Sequence, residues 1–133
     1  MGLVGVGLFQ QVADLSSSAP VLASTSTLTY WIYPNSATAD PGLVVGNSST
    51  CVALDLVFTD SSTLRDSGAV DQNGIRIHPA QQCGRLVKDA WNQVTVNLGS
   101  LQGKTISRVL LGYDQPNVAG GFHTWVDDIT MTY

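Results

Sequence analysis

Between Thr27 and Tyr33 the chain alternates with a period of two: Leu28, Tyr30 and Ile32 fall on one side, Thr29, Trp31 and Tyr33 on the other. Successive side chains of an extended backbone point to opposite faces, so this pattern predicts a strand with one buried face and one outward face. The period returns in Cys51–Thr59, where Val52, Leu54, Leu56 and Phe58 alternate with Ala53, Asp55, Val57 and Thr59. It returns again in Trp91–Leu98, where Val94, Val96 and Leu98 share a side. Helical spacing of apolar residues is hard to find in any segment, and a chain built on this period must be all-β.

The remaining segments fill out that frame. Leu3–Phe9 reads as a first strand continued by Gln10–Leu15, and Ser16–Ser24 reads as a polar connection around Pro20. Pro34–Ser49 is a loop with a strand-like Leu43–Val45 inside it. Thr63–Arg65, Ile75–His78 and Arg85–Lys88 are short strand candidates, with turns at Ser67-Gly68 and Asn73-Gly74. Ile106–Tyr113 is a hydrophobic strand, and Asp114–Gly121 a turn leading to the last strand, Phe122–Tyr133. In that strand Val126 has one parity and Ile129, Met131 and Tyr133 the other. A β-bulge at Asp127-Asp128 would return both sets to the core. Roughly eight to ten short strands joined by turns predict a single β-sandwich domain, residues 1–133, of the jelly-roll type.

Composition narrows the function classes. Only 12% of the 133 residues are charged, Lys and Arg total six, and the net charge is −4. Phosphate binding needs a concentrated basic face, so nucleic acid is a poor partner. No apolar run reaches the roughly eighteen residues of a membrane span. The apolar start at Met1 lacks the basic segment and small-residue cleavage site of a signal peptide, and is expected to be a strand. A surface of hydroxyls and amides suits a secreted protein. Cys51 and Cys83 cannot by themselves build a zinc site. They form one disulfide or remain two buried thiols, and a secreted composition favours the disulfide.

Polar chemistry concentrates in Thr59–Pro79, which holds Asp60, Arg65, Asp66, Asp71, Gln72, Asn73, Arg76 and His78. Planar donor and acceptor pairs of this kind match vicinal sugar hydroxyls. Trp31, Tyr33, Trp91, Tyr113 and Trp125 supply rings that could stack on a pyranose. Trp91 and Tyr113 border hydrophobic strands and are expected in the core, whereas Trp31 and Tyr33 lie opposite the core stripe. Asp71 before Asn73-Gly74 can equally form an Asx turn, and Arg65 and Arg76 can each pair with a neighbouring Asp. Catalysis finds little support. All ten acidic residues are Asp, and neither His78 nor His123 sits in a nucleophile motif.

The runs Leu28-Thr-Tyr-Trp-Ile-Tyr-Pro34, Val52-Ala-Leu-Asp-Leu-Val-Phe-Thr-Asp60 and Asp71-Gln-Asn-Gly74 with Pro79 resemble a non-catalytic domain found beside the catalytic domains of secreted bacterial glycoside hydrolases, α-mannosidases among them. Trp91-Asn92, Gly103-Lys-Thr-Ile106, Leu111-Gly-Tyr-Asp114 and Trp125-Val-Asp-Asp-Ile129 agree in order and spacing. The closing strand is also similar to that of galactose-binding-like carbohydrate-binding modules. The resemblance implies a jelly-roll accessory module, linked to a hydrolase domain and often carrying a structural calcium.

The expected function is therefore carbohydrate binding without catalysis. Arg65, Asp66, Asp71, Gln72, Arg76 and Asp114 are the polar contacts, with Trp31 and Tyr33 as the rings. Asp127 and Asp128 are the expected calcium ligands, and poly- or oligosaccharide is the expected partner. The alternative is a structural module between domains with no sugar site of its own.

Overall fold

A computed structural model describes residues 8–36, 48–115 and 122–133. Within them the chain runs β1 (Leu8–Asp14), β2 (Thr27–Pro34), β3 (Val52–Phe58), a single helical turn α1 (Pro79–Gln82), β4 (Asn92–Asn97), β5 (Ile106–Tyr113) and β6 (Thr124–Thr132). The strands form two three-stranded sheets, ordered β1-β5-β3 and β4-β2-β6. All pairings are antiparallel. This is the all-β sandwich that the alternation predicts. Six strands do not establish the eight-strand jelly-roll connectivity. The expected strand at Leu3 and the strand-like Leu43–Val45 lie outside the described residues, as does most of the turn after Asp114.

The core forms where the inward faces meet. Leu28, Tyr30 and Ile32 of β2 stand between Val94 and Val96 of β4 and Val126 and Met131 of β6. Leu54, Leu56 and Phe58 of β3 and Val109 of β5 close the layer from the other sheet. Tyr30 is 1% exposed, and its hydroxyl accepts from the Leu54 N–H across the sandwich at 3.4 Å. Burial pushes its phenol well above the ordinary range, so the ring serves as a core side chain with a satisfied polar tip. Truncating one of these fully buried aliphatic side chains to Ala would cost about 2–5 kcal/mol.

β3 is buried on both faces, unlike β2. The reason is the excursion between β3 and β4, which folds back over the outer side of its sheet. Its α1 turn packs on β3 and β5. On the same side, the Phe9 ring lies so close to Gly112 that a Cβ there would collide with it and crowd Pro79. A disulfide joins Cys51, just before β3, to Cys83, just after α1, and so pins the α1 part of the excursion to the start of β3.

Several local expectations need correction. Thr63–Arg65, Ile75–His78 and Arg85–Lys88 are not strands. The first two make only isolated bridges, Val57 with Thr63 and Val70 with Arg76, because side-chain acceptors take backbone N–H groups there that a ladder would need. The turns at Gly68 and Gly74 are present, with φ of 83° and 77°. In β6, Thr130 pairs with Thr29 and Asp127 with Trp31, so Asp128 and Ile129 together oppose Tyr30. The bulge therefore lies one residue beyond the expected pair, with Asp128 in the left-handed region at φ 50°. It returns Val126, Ile129 and Met131 to the core. Tyr133, also expected in the core, is 54% exposed.

Candidate functional site

The polar stretch that stands out in the sequence is largely occupied with holding itself together. Arg65 donates from Nη1 to Asp55 Oδ2 at 2.7 Å, and its backbone N–H reaches Asp55 Oδ1 at 2.9 Å. Its guanidinium also lies 3.9 Å over the Phe9 ring. The Asp55 side chain is fully buried, and burial pushes its carboxyl up against the opposing pull of Arg65. Arg65 is thus the counter-charge of a core carboxylate. Asp66 is exposed and accepts from Thr63 Oγ1 at 3.0 Å.

Asp71 is buried and accepts from three internal donors: Asn73 N at 2.8 Å, Ile75 N at 3.0 Å and Gln82 Nε2 at 3.2 Å. That arrangement is an Asx turn anchored to α1. Gln72 lays its amide along the edge of β4, donating to Gln93 O at 2.6 Å and accepting from Thr95 N at 2.9 Å. A side-chain amide here takes the place of a neighbouring strand and blunts an open sheet edge. Arg76 is exposed, and its guanidinium meets no hydrogen-bond or ion-pair partner among the described residues. Asp114 is half-buried, donating its N–H to Cys51 O at 3.1 Å.

These residues do not converge. Asp71 and Gln72 line one cavity of about 360 Å³ with Asn73, Gln82 and Arg85. Arg65 and Asp66 line another of about 360 Å³ with Ser61, Ser62 and Lys104. Neither contains an aromatic ring.

The outer face of the β4-β2-β6 sheet is different. Alternation in β2 aims Trp31 and Tyr33 outward, beside Asp127 and Trp125 of β6 respectively. Trp91, just before β4, meets Tyr33 edge-on with centroids 5.4 Å apart. It is 48% exposed, so the core position expected for it is wrong. Trp125 is 55% exposed and lies 4.8 Å from the His123 ring. Trp31, Trp91, Asp127 and Asp128 together line a groove of about 330 Å³. Away from the groove the face continues as Thr27, Thr29, Thr95, Thr130 and Thr132, with the Thr27 and Thr132 hydroxyls 2.8 Å apart. No Lys or Arg occupies an outward position of these three strands.

The structure thus places two expected groups together that the sequence kept apart: the ring Trp31 and the carboxylates Asp127 and Asp128. It adds Trp91 and Trp125. For Trp125 the signal was available, since a core-facing Val126 forces its neighbour outward.

A calcium ion takes six to eight oxygen ligands. Asp127 and Asp128 are both exposed, and Asp127 Oδ1 already accepts the Asp128 N–H at 2.8 Å. Among the described residues no group of three or more His, Cys, Asp or Glu gathers to hold a metal. Among the described residues, Asp127 and Asp128 alone supply fewer oxygens than such an ion needs.

No protein-family model matches the chain, and no curated protein matches it at a significant level.

Proposed function

We propose that this domain binds carbohydrate without catalysis, through the open face of the β4-β2-β6 sheet and not through the 59–79 stretch. The observation that carries this reading is the groove in which Trp31 and Trp91 stand beside Asp127 and Asp128. A pyranose presents an apolar face of C–H groups that packs on an indole ring, while its rim of hydroxyls needs acceptors such as carboxylates. Trp31, Asp127 and Asp128 belong to the paired strands β2 and β6, which hold them more rigidly than a loop would. In this reading the domain is a secreted accessory module, in line with its resemblance to the domains beside glycoside hydrolases, and its target is a poly- or oligosaccharide.

Affinity electrophoresis through gels containing a panel of soluble polysaccharides tests it. The wild-type protein is retarded by at least one polymer, and Trp31→Ala migrates as in a sugar-free gel while melting within a few degrees of wild type. Free migration of the wild type in every gel would sink the proposal, as would full retardation of Trp31→Ala.

A second reading, an interdomain module without a sugar site, draws on the same exposed Trp91 and Trp125, since exposed aromatic surface also suits a domain contact. It predicts no retardation by any polymer, and so the same gels separate the two.

A further inference from the structure

The four residues of the groove carry more information than sugar binding alone. Two are indoles, whose ring faces are electron-rich, and two are carboxylates. Among the described residues no Lys or Arg lines the groove to neutralise them. Asp127 and Asp128 are both solvent-facing, and among the described residues their carboxylates accept one hydrogen bond, from the Asp128 N–H to Asp127 Oδ1. Asp55 and Asp60, by contrast, each have a basic partner, Arg65 at 2.7 Å and Lys104 at 2.6 Å. The bulge contributes as well. By placing two β6 residues opposite Tyr30, it sets both Asp127 and Asp128 on the outer face, where regular alternation would send one inward.

An electron-rich ring face attracts a cation, and a carboxylate pairs with an ammonium. Both therefore favour one positive charge on the ligand, and both disfavour a uronate. Resting on the carbohydrate reading above, we propose that this groove selects saccharides carrying a protonated primary amine, that is, de-N-acetylated hexosamine residues, over their N-acetylated, neutral and uronate counterparts. The pyranose ring stacks on Trp31 or Trp91 while the ammonium sits between the indoles and the two carboxylates. With the pair and the ring solvent-exposed, the preference for the amine over its acetylated form is on the order of tenfold in Kd.

Isothermal titration of the whole protein with matched oligosaccharides of glucosamine, N-acetylglucosamine, glucose and galacturonate tests this, at a pH that keeps the amine protonated. The expected order is glucosamine tightest and galacturonate weakest. Asp127→Asn/Asp128→Asn keeps the shape of the groove, and Asn tolerates the left-handed backbone at 128. That variant should bind the glucosamine and N-acetylglucosamine ligands equally. Trp91→Ala, at an exposed ring, should weaken all of them.

Equal binding of amine and acetylated sugars by the wild type overturns the inference while leaving the carbohydrate reading in place. Full preference retained in the double Asn variant overturns it too. A lysine-rich peptide that competes as well as the amino sugar would show that the groove reads charge alone, and would also overturn it. Binding of none of the four ligands, together with failure in the polysaccharide gels, overturns both readings.

Discussion

Arg65→Met should damage the fold and spare the proposed binding face. Asp55 has a fully buried side chain whose Oδ2 is held by Arg65 Nη1 at 2.7 Å. Methionine fills much of the aliphatic volume but leaves the buried carboxylate without its counter-charge. Breaking a buried pair in this way costs about 3–5 kcal/mol. Unfolding entropy is about 2.1 cal/mol/K per residue, or about 0.28 kcal/mol/K over 133 residues, so the melting temperature falls by about 11–18 °C.

The pH dependence gives an independent check. Burial already holds the Asp55 carboxyl above its ordinary value, against the hydrogen bond and charge of Arg65. A carboxyl with its folded pKa above the unfolded value of about 3.9 binds its proton more tightly when folded, so stability falls as pH rises through that interval. Loss of Arg65 raises the folded value further and widens the interval. The deficit relative to wild type is therefore largest near neutrality and shrinks in acid. Asp55→Asn/Arg65→Met should recover part of it, because the amide oxygen still accepts from Leu56 N and Arg65 N at 2.9 Å and no charge remains to be buried. Thermal scans by circular dichroism over a pH series measure all three proteins. A neutral-pH deficit below about 1 kcal/mol, or one that grows on acidification, would refute the reasoning.

Two further effects follow from the same excursion. Asp71→Ala removes the acceptor of Asn73 N, Ile75 N and the buried Gln82 amide, and should cost about 2–4 kcal/mol with sugar affinity per folded molecule unchanged; denaturant unfolding and titration calorimetry separate the two. Reducing the Cys51–Cys83 disulfide opens a loop of 32-residue separation and should cost about 3–4 kcal/mol, read as a fall in urea midpoint with little change in the far-ultraviolet spectrum at low urea.

The sandwich was legible because its information is local. A period of two in β2, β3 and β4 assigns core and surface without knowledge of any partner strand, and even the β6 bulge follows from one broken parity at Val126 and Ile129. The excursion was not legible, because its residues are judged by what lies across space. Arg65 reads as a sugar ligand until Asp55, ten positions earlier, is seen beneath it. Gln72 reads the same way until its amide is found on the edge of β4, more than twenty positions later. Trp91 misled for the opposite reason: a large ring next to a hydrophobic strand suggests core, but its place is set by Tyr33 on the outer face.

The two outer faces of the sandwich explain why a binding surface would form on one and not the other. The face over β3 and β5 is largely covered by the excursion, which the disulfide pins to the start of β3 and which Arg65, Asp71 and α1 fasten from within. Arg65, Asp71 and Gln72 there already have partners within the protein, so a ligand at any of them would have to displace existing bonds. Among the described residues the face over β2 and β6 has no such cover, and strand pairing fixes Trp31 and Trp125 on its outer side. An exposed ring on a rigid strand gives the fold little and gives a ligand a preorganised surface that needs no ordering on binding. Stability and recognition should therefore separate in space, with substitutions at Arg65 or Asp71 moving the melting temperature and substitutions at Trp31 or Trp91 moving affinity. A variant of the excursion that weakened sugar binding as much as Trp31→Ala does, while still fully folded, would mean that the ligand reaches across the edge of β4 and that the two surfaces are one.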